Sequence, residues 1–412
     1  MHPDSSPNTR PHLELIPLKP GVSAARPTRL QVLLRIHTPT PQARPERPLL
    51  NLALVLDRSG SMAGSKLEYT KEAAVYAVHN LLPEDRVAVV IYDDAVEVLV
   101  PSTPVADGRA AIANLIRTIR SRGSTALHAG WLEGATQVAA YQEAGRLNRV
   151  VLLSDGLANR GETNPGVIAG QVRELARRGV STSTLGVGLD YNEDLMTAMA
   201  DAGEGNYYFI ESPADLPRIF AQELAGLAGT LGTRVRLWLW PGDGGQAWLF
   251  NDLEREASGA YVLPNLVAGI PLEFLLELEA PAGREAFLRL ELDWETPEGQ
   301  RERLEAALRL PVLEEAAFER LPPHPDVAAM AAKLEATRAR QRAMEALADG
   351  DLEAARGALH HAAPRLASFG PALAAEAQEL RLLLDEIETA PQRARKTLSS
   401  QVYRDRKGRK DF

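Results

Sequence analysis

Cysteine is absent from all 412 residues. That excludes disulfides, thiolate nucleophiles and cysteine-held zinc or iron–sulfur clusters, and it is in keeping with a reducing compartment. No run of about 18 apolar residues occurs, so no helical membrane span is expected. The opening stretch, MHPDSSPNTRPHLELIPLKP, lacks a basic start followed by a long apolar core, so the expected location is cytoplasmic. Neither G-x-G-x-x-G nor a Walker lysine motif is present, and no serine sits in a nucleophile elbow. A net charge of −9 argues against a general nucleic-acid binder. What is present is ordinary globular composition, 45% hydrophobic and 25% charged, long enough for two or three domains.

Four stretches differ in grammar. Residues 1–48 open with a Pro- and Ser-rich tip, read as disordered. Two strands follow, His12–Leu18 and Arg29–His37, the second alternating loosely as a strand with one covered face. Thr38–Pro48 is a Pro-rich connector. Residues 49–228 alternate strands with amphipathic helices. Leu50–Leu56 reads as a central parallel strand buried on both faces, and Ser65 with Glu68 reads as a capping box opening a helix. Arg86–Tyr92 and Ala95–Val100 form an antiparallel pair about the Asp93–Asp94 turn. Further strands are expected at Arg149–Leu153, Ser181–Val187 and Tyr207–Ile210. This alternation predicts a doubly wound α/β sheet, whose ligands sit beyond the carboxyl ends of the strands at a topological switch point.

Residues 229–312 read as six further strands between Gly- and Pro-containing turns. With the two N-terminal strands they suit an all-β sandwich into which the α/β unit is inserted. Residues 313–412 are rich in Ala, Leu, Glu and Arg. Helices are expected at Val327–Leu347, from the Asp351 cap to about Ala362, and at Pro371–Thr389, followed by a solvated basic tail (Arg393, Arg395, Lys396, Arg404, Arg406, Lys407, Arg409, Lys410).

The chemistry concentrates where the first α/β strand ends. NLALVLDRSGSM places Asp57, Ser59 and Ser61 on alternate positions after an apolar run. Short oxygen-bearing side chains so closely spaced suit a hard divalent cation. LALVLDRSGSMAGSKLEYTKEAA, then DRVAVVIYDDAVEVLVP, GSTALHAGW and VVLLSDGLANRG, together resemble the von Willebrand factor type A family and its metal-ion-dependent adhesion site. The resemblance covers roughly residues 49–228. It maps the family's D-x-S-x-S onto Asp57, Ser59 and Ser61, its loop threonine onto Thr125 and its later aspartate onto Asp155. It implies a bound divalent cation, Mg2+ before Mn2+ or Ca2+, touched by Ser59, Ser61 and Thr125, with Asp57 and Asp155 acting through waters. A partner protein then supplies an Asp or Glu carboxylate at an open position, which is binding and not catalysis. The arrangement as a whole resembles cytosolic bacterial type A proteins that serve as scaffolds.

Other features carry less. His128 is expected to be a packing or solvent residue, since imidazole suits softer ions. Asp93–Asp94 is expected to be a plain turn. His360 and His361 fall on different helix faces. Two alternative functions stay open: an RNA-associated scaffold, supported only by the basic tail, and a metal-dependent hydrolase, which needs a general base beside the cation. Oligomeric state is left open; in one reading a neighbouring copy supplies the carboxylate, from its acidic runs or its terminal Asp411–Phe412.

Overall fold

The structure is a computed structural model that describes residues 10–40 and 47–408. The chain divides into two compact units. One runs from Glu46 to Thr230; the other gathers the segment before it and most of the residues from Leu231 on.

The first unit is built on a six-stranded sheet. Its strands are β1 (Leu49–Asp57), β2 (Arg86–Tyr92), β3 (Val96–Pro104), β4 (Arg146–Ser154), β5 (Val180–Val187) and β6 (Glu204–Ile210). Their order is β3-β2-β1-β4-β5-β6, with β3 alone antiparallel to its neighbour. Every residue of β1 from Leu50 to Asp57 is buried, which is what a central parallel strand covered on both faces requires. The helices are α1 (Ser65–Asn80), α2 (Arg109–Arg117), α3 (Leu127–Ala139), α4 (Pro165–Arg177), α5 (Glu193–Ala202) and α6 (Leu216–Ala228). The strand order reverses between β1 and β4, and this is the switch point.

The capping box does not form. Gly64, at φ 80°, occupies the cap of α1 without a side-chain bond, Ser65 is already helical, and Glu68 pairs with Lys71 at 2.6 Å. A turn tight enough to need a left-handed residue overrides the Ser-x-x-Glu pattern. Asn164 and Asn192 do cap α4 and α5 through their side chains.

Helix α3 lies unusually close to the sheet, and two glycines permit it. A Cβ on Gly134 would sit 2.2 Å from Val55 Cγ2, and one on Gly130 would sit 2.6 Å from the Tyr92 ring. The close approach fixes the start of α3, just after Thr125, against β1 and β2.

The second unit contains two antiparallel sheets. The first has the order His12–Pro17, Thr28–His37, Leu272–Ala280, Gln246–Leu249; the second is five-stranded and includes Thr230–Pro241, Ala286–Glu295 and Arg301–Leu310. Leu30, Val32, Leu34 and Ile36 from one sheet and Leu288, Leu290 and Leu292 from the other share a single apolar core. Short strands at Val22–Ser23, Leu266–Val267 and Val312–Leu313 add to those expected. Strand Thr28–His37 has more than one covered face: Leu33, with Leu275, is buried beneath Val327 and Leu334 of helix Pro325–Ala348. The loose alternation of that strand reflects this second cover.

From Pro325 on, the helices are Pro325–Ala348, Leu352–His360, Ala362–Ala367, Ala374–Thr389 and Pro391–Arg406. Gly350 ends the first at φ 77°, and Asp351 caps the second by accepting the Ala354 N–H at 2.8 Å. The second stops at His360, and Ala374, after a 3-10 turn, starts the helix expected from Pro371. The basic tail is a correction. Residues 391–406 are a packed helix in which Lys396, Ser399, Val402 and Tyr403 are buried. Its Asp405 accepts Thr337 Oγ1 at 2.7 Å and Arg340 Nη1 at 3.0 Å, so a buried guanidinium holds the helix down. Arg409, Lys410, Asp411 and Phe412, the tip 1–9 and connector residues 41–46 lie outside the described residues.

Packing sets the expected outcome of three substitutions. Gly134→Ala is expected to destabilise the protein by about 1–2 kcal/mol in urea unfolding, overpacking outweighing better helix propensity. Gly170→Ala, in α4 with nothing within 4 Å of its added methyl, is expected to stabilise by about 0.5 kcal/mol. Asp405→Ala, which leaves Arg340 buried and unpaired, is expected to cost about 3 kcal/mol in the same measurement.

Candidate metal centre

The pairing of β1 with β4 runs in register to Leu56 opposite Leu153. Asp57 and the residues that follow β4 therefore leave the sheet side by side. Ser59 and Ser61 come from the turn after β1, Thr125 from the loop before α3, and Asp155 from the residue after β4.

The side chains converge. Ser61 Oγ donates to Asp155 Oδ1 at 2.7 Å and lies 3.1 Å from Ser59 Oγ. Asp57 Oδ1 accepts the Ser59 backbone N–H at 2.8 Å, and Asp57 Oδ2 accepts Ser154 Oγ–H at 2.6 Å. Thr125 is clamped by Asn159: its N–H donates to Asn159 Oδ1 at 3.0 Å and its carbonyl accepts the Asn159 N–H at 3.2 Å. A Cβ on Gly156 would lie 3.3 Å from Thr125 Oγ1 and 3.6 Å from Ser61 Oγ, so a glycine keeps open the space these two hydroxyls face. All five residues predicted for the site are thus brought to one edge.

The donor set fits a hard cation: three hydroxyls and two carboxylates, all oxygen. Among the described residues no group of three or more His, Asp or Glu is placed to hold a metal, so a cation here depends on the hydroxyls. His128 is not one of its neighbours by hydrogen bonding. Its Nε2 is 2.7 Å from Gln171 Oε1 on α4.

Four residues missing from the sequence reading complete the surroundings. Ser154 anchors Asp57. Lys66, in the first turn of α1, donates from Nζ to Asp155 Oδ2 at 2.5 Å. Arg58, between the two acidic and hydroxyl positions of the motif, donates from Nε to Asp93 Oδ2 at 2.8 Å and reaches Glu97 at 3.1 Å. Arg122 donates to the same Asp93 oxygen at 2.7 Å. Asp93 is therefore not a plain turn residue but a buried hub joining the D-x-S-x-S turn to the threonine loop. Burial alone would raise its pKa; the hydrogen bond from Arg122 and the charge of Arg58 hold it down at about 2. The adjacency of Ser154 to Asp155 and of Lys66 to the motif was visible in the sequence. The pairing of Arg58 with Asp93 was not, because 35 residues separate them.

Gly123 closes the cluster. It adopts φ 70°, its carbonyl accepts the Gly60 N–H at 3.0 Å, and a Cβ there would lie 2.3 Å from Asp94 Oδ1.

Residues 51–222 match the family model of the von Willebrand factor type A domain. The α/β unit is a von Willebrand factor type A domain. The uncharacterized protein sll0103 of Synechocystis is 32% identical over 228 residues, which are 55% of this chain and 53% of that protein. The chain thus spans about half the length of that curated relative. Among solved structures, von Willebrand factor type A from Catenulispora acidiphila is similar over 100% of this chain and 99% of its own, with TM-score 0.74 and 19% identity. The ArnB paralog VWA2 from Sulfolobus acidocaldarius is similar over 97% and 98%, with TM-score 0.62 and 16% identity. At such identities the likeness is one of fold.

Within the type A domain, Asp57 is fully buried and burial pushes its pKa up to about 6, against an ordinary value of 3.8. The folded, metal-free chain then holds a proton on Asp57 that the unfolded chain releases. The stabilisation is complete below about pH 4 and lost as pH rises through 6. Asp57→Asn, which cannot ionise, is expected to be more stable than the wild type at pH 7 in EDTA by on the order of 2 kcal/mol. The difference should vanish near pH 4 in urea titrations.

Proposed function

We propose that this chain is a metal-dependent protein-binding module. Asp57, Ser59, Ser61, Thr125 and Asp155 hold a divalent cation, Mg2+ before Mn2+ or Ca2+, and a partner protein completes its coordination with an Asp or Glu carboxylate. The observation that carries this reading is the convergence of oxygens from three separated segments at the switch point. The bound cation supplies a positive centre for a carboxylate. Neutral hydroxyls from Ser59, Ser61 and Thr125 leave that charge largely unquenched, while Asp57 and Asp155, tied by Ser154, Ser59, Ser61 and Lys66, fix the geometry.

The edge also offers apolar contact. Leu157, 55% exposed, lies in the turn between Asp155 and Asn159, which is pinned to the Thr125 loop. Leu189, 38% exposed, lies between Gly188 and Asp190, both beside Lys66. Exposed leucines flanking a charge-bearing centre suit a protein surface as ligand. The unit acts by binding and not by catalysis: the one histidine suggested for the site is engaged by Gln171. An RNA role rested on a free basic tail, whereas the basic residues between 393 and 407 are buried or half-buried in a packed helix.

The two antiparallel sheets are read as a β-sandwich carrying the type A domain as an insert. Their shared apolar core and the continuous run of the domain from Glu46 to Thr230 support this. A cytoplasmic scaffold is the setting proposed. No helix among the described residues is long and apolar enough to cross a membrane.

In affinity purification from the native cell, partners retained in Mg2+ are expected to be lost in EDTA and with Asp57→Ala. Leu157→Ser is expected to weaken capture at least threefold with metal affinity intact. Capture that survives both EDTA and Asp57→Ala sinks the reading.

A further inference from the structure

The metal centre contains a cation of its own. Lys66 Nζ lies 2.5 Å from Asp155 Oδ2, on a carboxylate that is fully buried and whose other oxygen accepts Ser61 Oγ–H at 2.7 Å. Lys66 itself is only 23% exposed at the side chain, and its stem passes 3.5 Å from where a Cβ on Gly188 would stand. It is held in place from two sides, by Asp155 within the cluster and by the exposed Asp190 at 3.9 Å outside it. No other basic side chain pairs with Asp57 or Asp155 among the ion pairs of the described residues.

We propose that Lys66 is the resident counter-ion of the centre, a residue that weakens metal binding in order to make the loaded site select anions. This rests on the metal-dependent binding reading above. The argument is one of charge. Asp57 and Asp155 contribute two negative charges, Lys66 one positive charge, and the three hydroxyls none. A divalent cation brings the centre to a net charge of plus one; without Lys66 it would be neutral. The ammonium competes with the metal for Asp155 and repels it at short range in a partly desolvated setting, where such terms are larger than in water. The surplus charge that remains favours a carboxylate over water or a neutral oxygen at the open position. When the metal is absent, the same ammonium compensates Asp155 and keeps Ser61 in place, so the cluster is preorganised.

The sign of the effect separates this role from a structural one. A merely structural lysine, once removed, would loosen the site and weaken metal binding. Removing the resident counter-ion tightens it. Calorimetric titration with Mg2+ is expected to give about tenfold tighter binding for Lys66→Met, which keeps the apolar stem. Tb3+ luminescence should show a larger gain still, because a more negative cage favours the higher charge. Lys66→Arg should bind Mg2+ as the wild type does. Metal-free Lys66→Met should melt lower than wild type and recover on adding Mg2+. Acetate, the simplest carboxylate probe, should displace water from the Mn2+-loaded wild type at lower concentration than from Mn2+-loaded Lys66→Met, read by water proton relaxation. Should Lys66→Met fail to fold, Asp190→Asn at its exposed position is the second arm: loss of that carboxylate should weaken Mg2+ binding about twofold.

Unchanged or weaker Mg2+ binding by folded Lys66→Met, equal acetate binding by the two loaded proteins, or tighter Mg2+ binding by Asp190→Asn would each overturn the proposal. If the wild type shows no Mg2+ binding that Asp57→Ala removes, the metal-dependent reading itself has failed, a result distinct from any of these.

Discussion

The parallel pairing of β1 with β4 is the constraint on which the centre depends. Two strands that are 97 residues apart at their paired starts, Leu49 and Arg146 being joined through α1, the antiparallel β2–β3 pair, α2 and α3, lie side by side only because the chain order reverses between them. Both strands end at the same edge. Asp57 is the last residue of β1 and Asp155 the first after β4, so the two carboxylates emerge at that edge together. The hydroxyl turn after β1 and the glycine after β4 then face one another, and Ser61 can donate to Asp155.

The two aspartates differ in how their charge is met. Asp57 is surrounded by neutral donors, the Ser59 N–H and the Ser154 hydroxyl, and burial raises its pKa. Asp155 faces an ammonium. A cation entering between them meets one carboxylate still lacking positive charge and one already supplied. That asymmetry ties Lys66 and the elevated pKa of Asp57 to the same physical fact: both carboxylates are buried.

Support reaches the centre from the second turn of the sheet. Arg58 and Arg122 share Asp93, so the D-x-S-x-S turn, the β2–β3 turn and the loop leading to Thr125 are joined by one buried ion-pair cluster. Glycines at 130 and 134 let α3 press on Val55 and Tyr92, which sets where that loop ends. Removing any of these would leave the candidate oxygens present but displaced, and oxygen coordination of a small cation tolerates little displacement.

Much was legible without coordinates. The apolar run of β1 announces a central strand because nothing polar interrupts it, and the motif residues share a local spacing that side-chain chemistry can interpret. Asp351 and Gly350 were readable because helix caps are decided by neighbours in sequence. The capping box at Ser65 failed for the opposite reason, a backbone turn at Gly64 that the side-chain pattern does not encode. The basic C-terminus was misread because charge on a helix says nothing about what covers it; Arg340, 65 residues away, decides that Asp405 is a buried anchor.

The sequence alone determined the candidate oxygen set and the strand–helix alternation, since both follow from local residue chemistry and periodicity. Only the tertiary structure decided which ammonium lies on Asp155, which arginines hold Asp93, and which leucines the loops leave exposed. Those pairings join residues far apart along the chain. They are set by strand order and by how closely a helix can approach a sheet, quantities no single stretch of sequence contains.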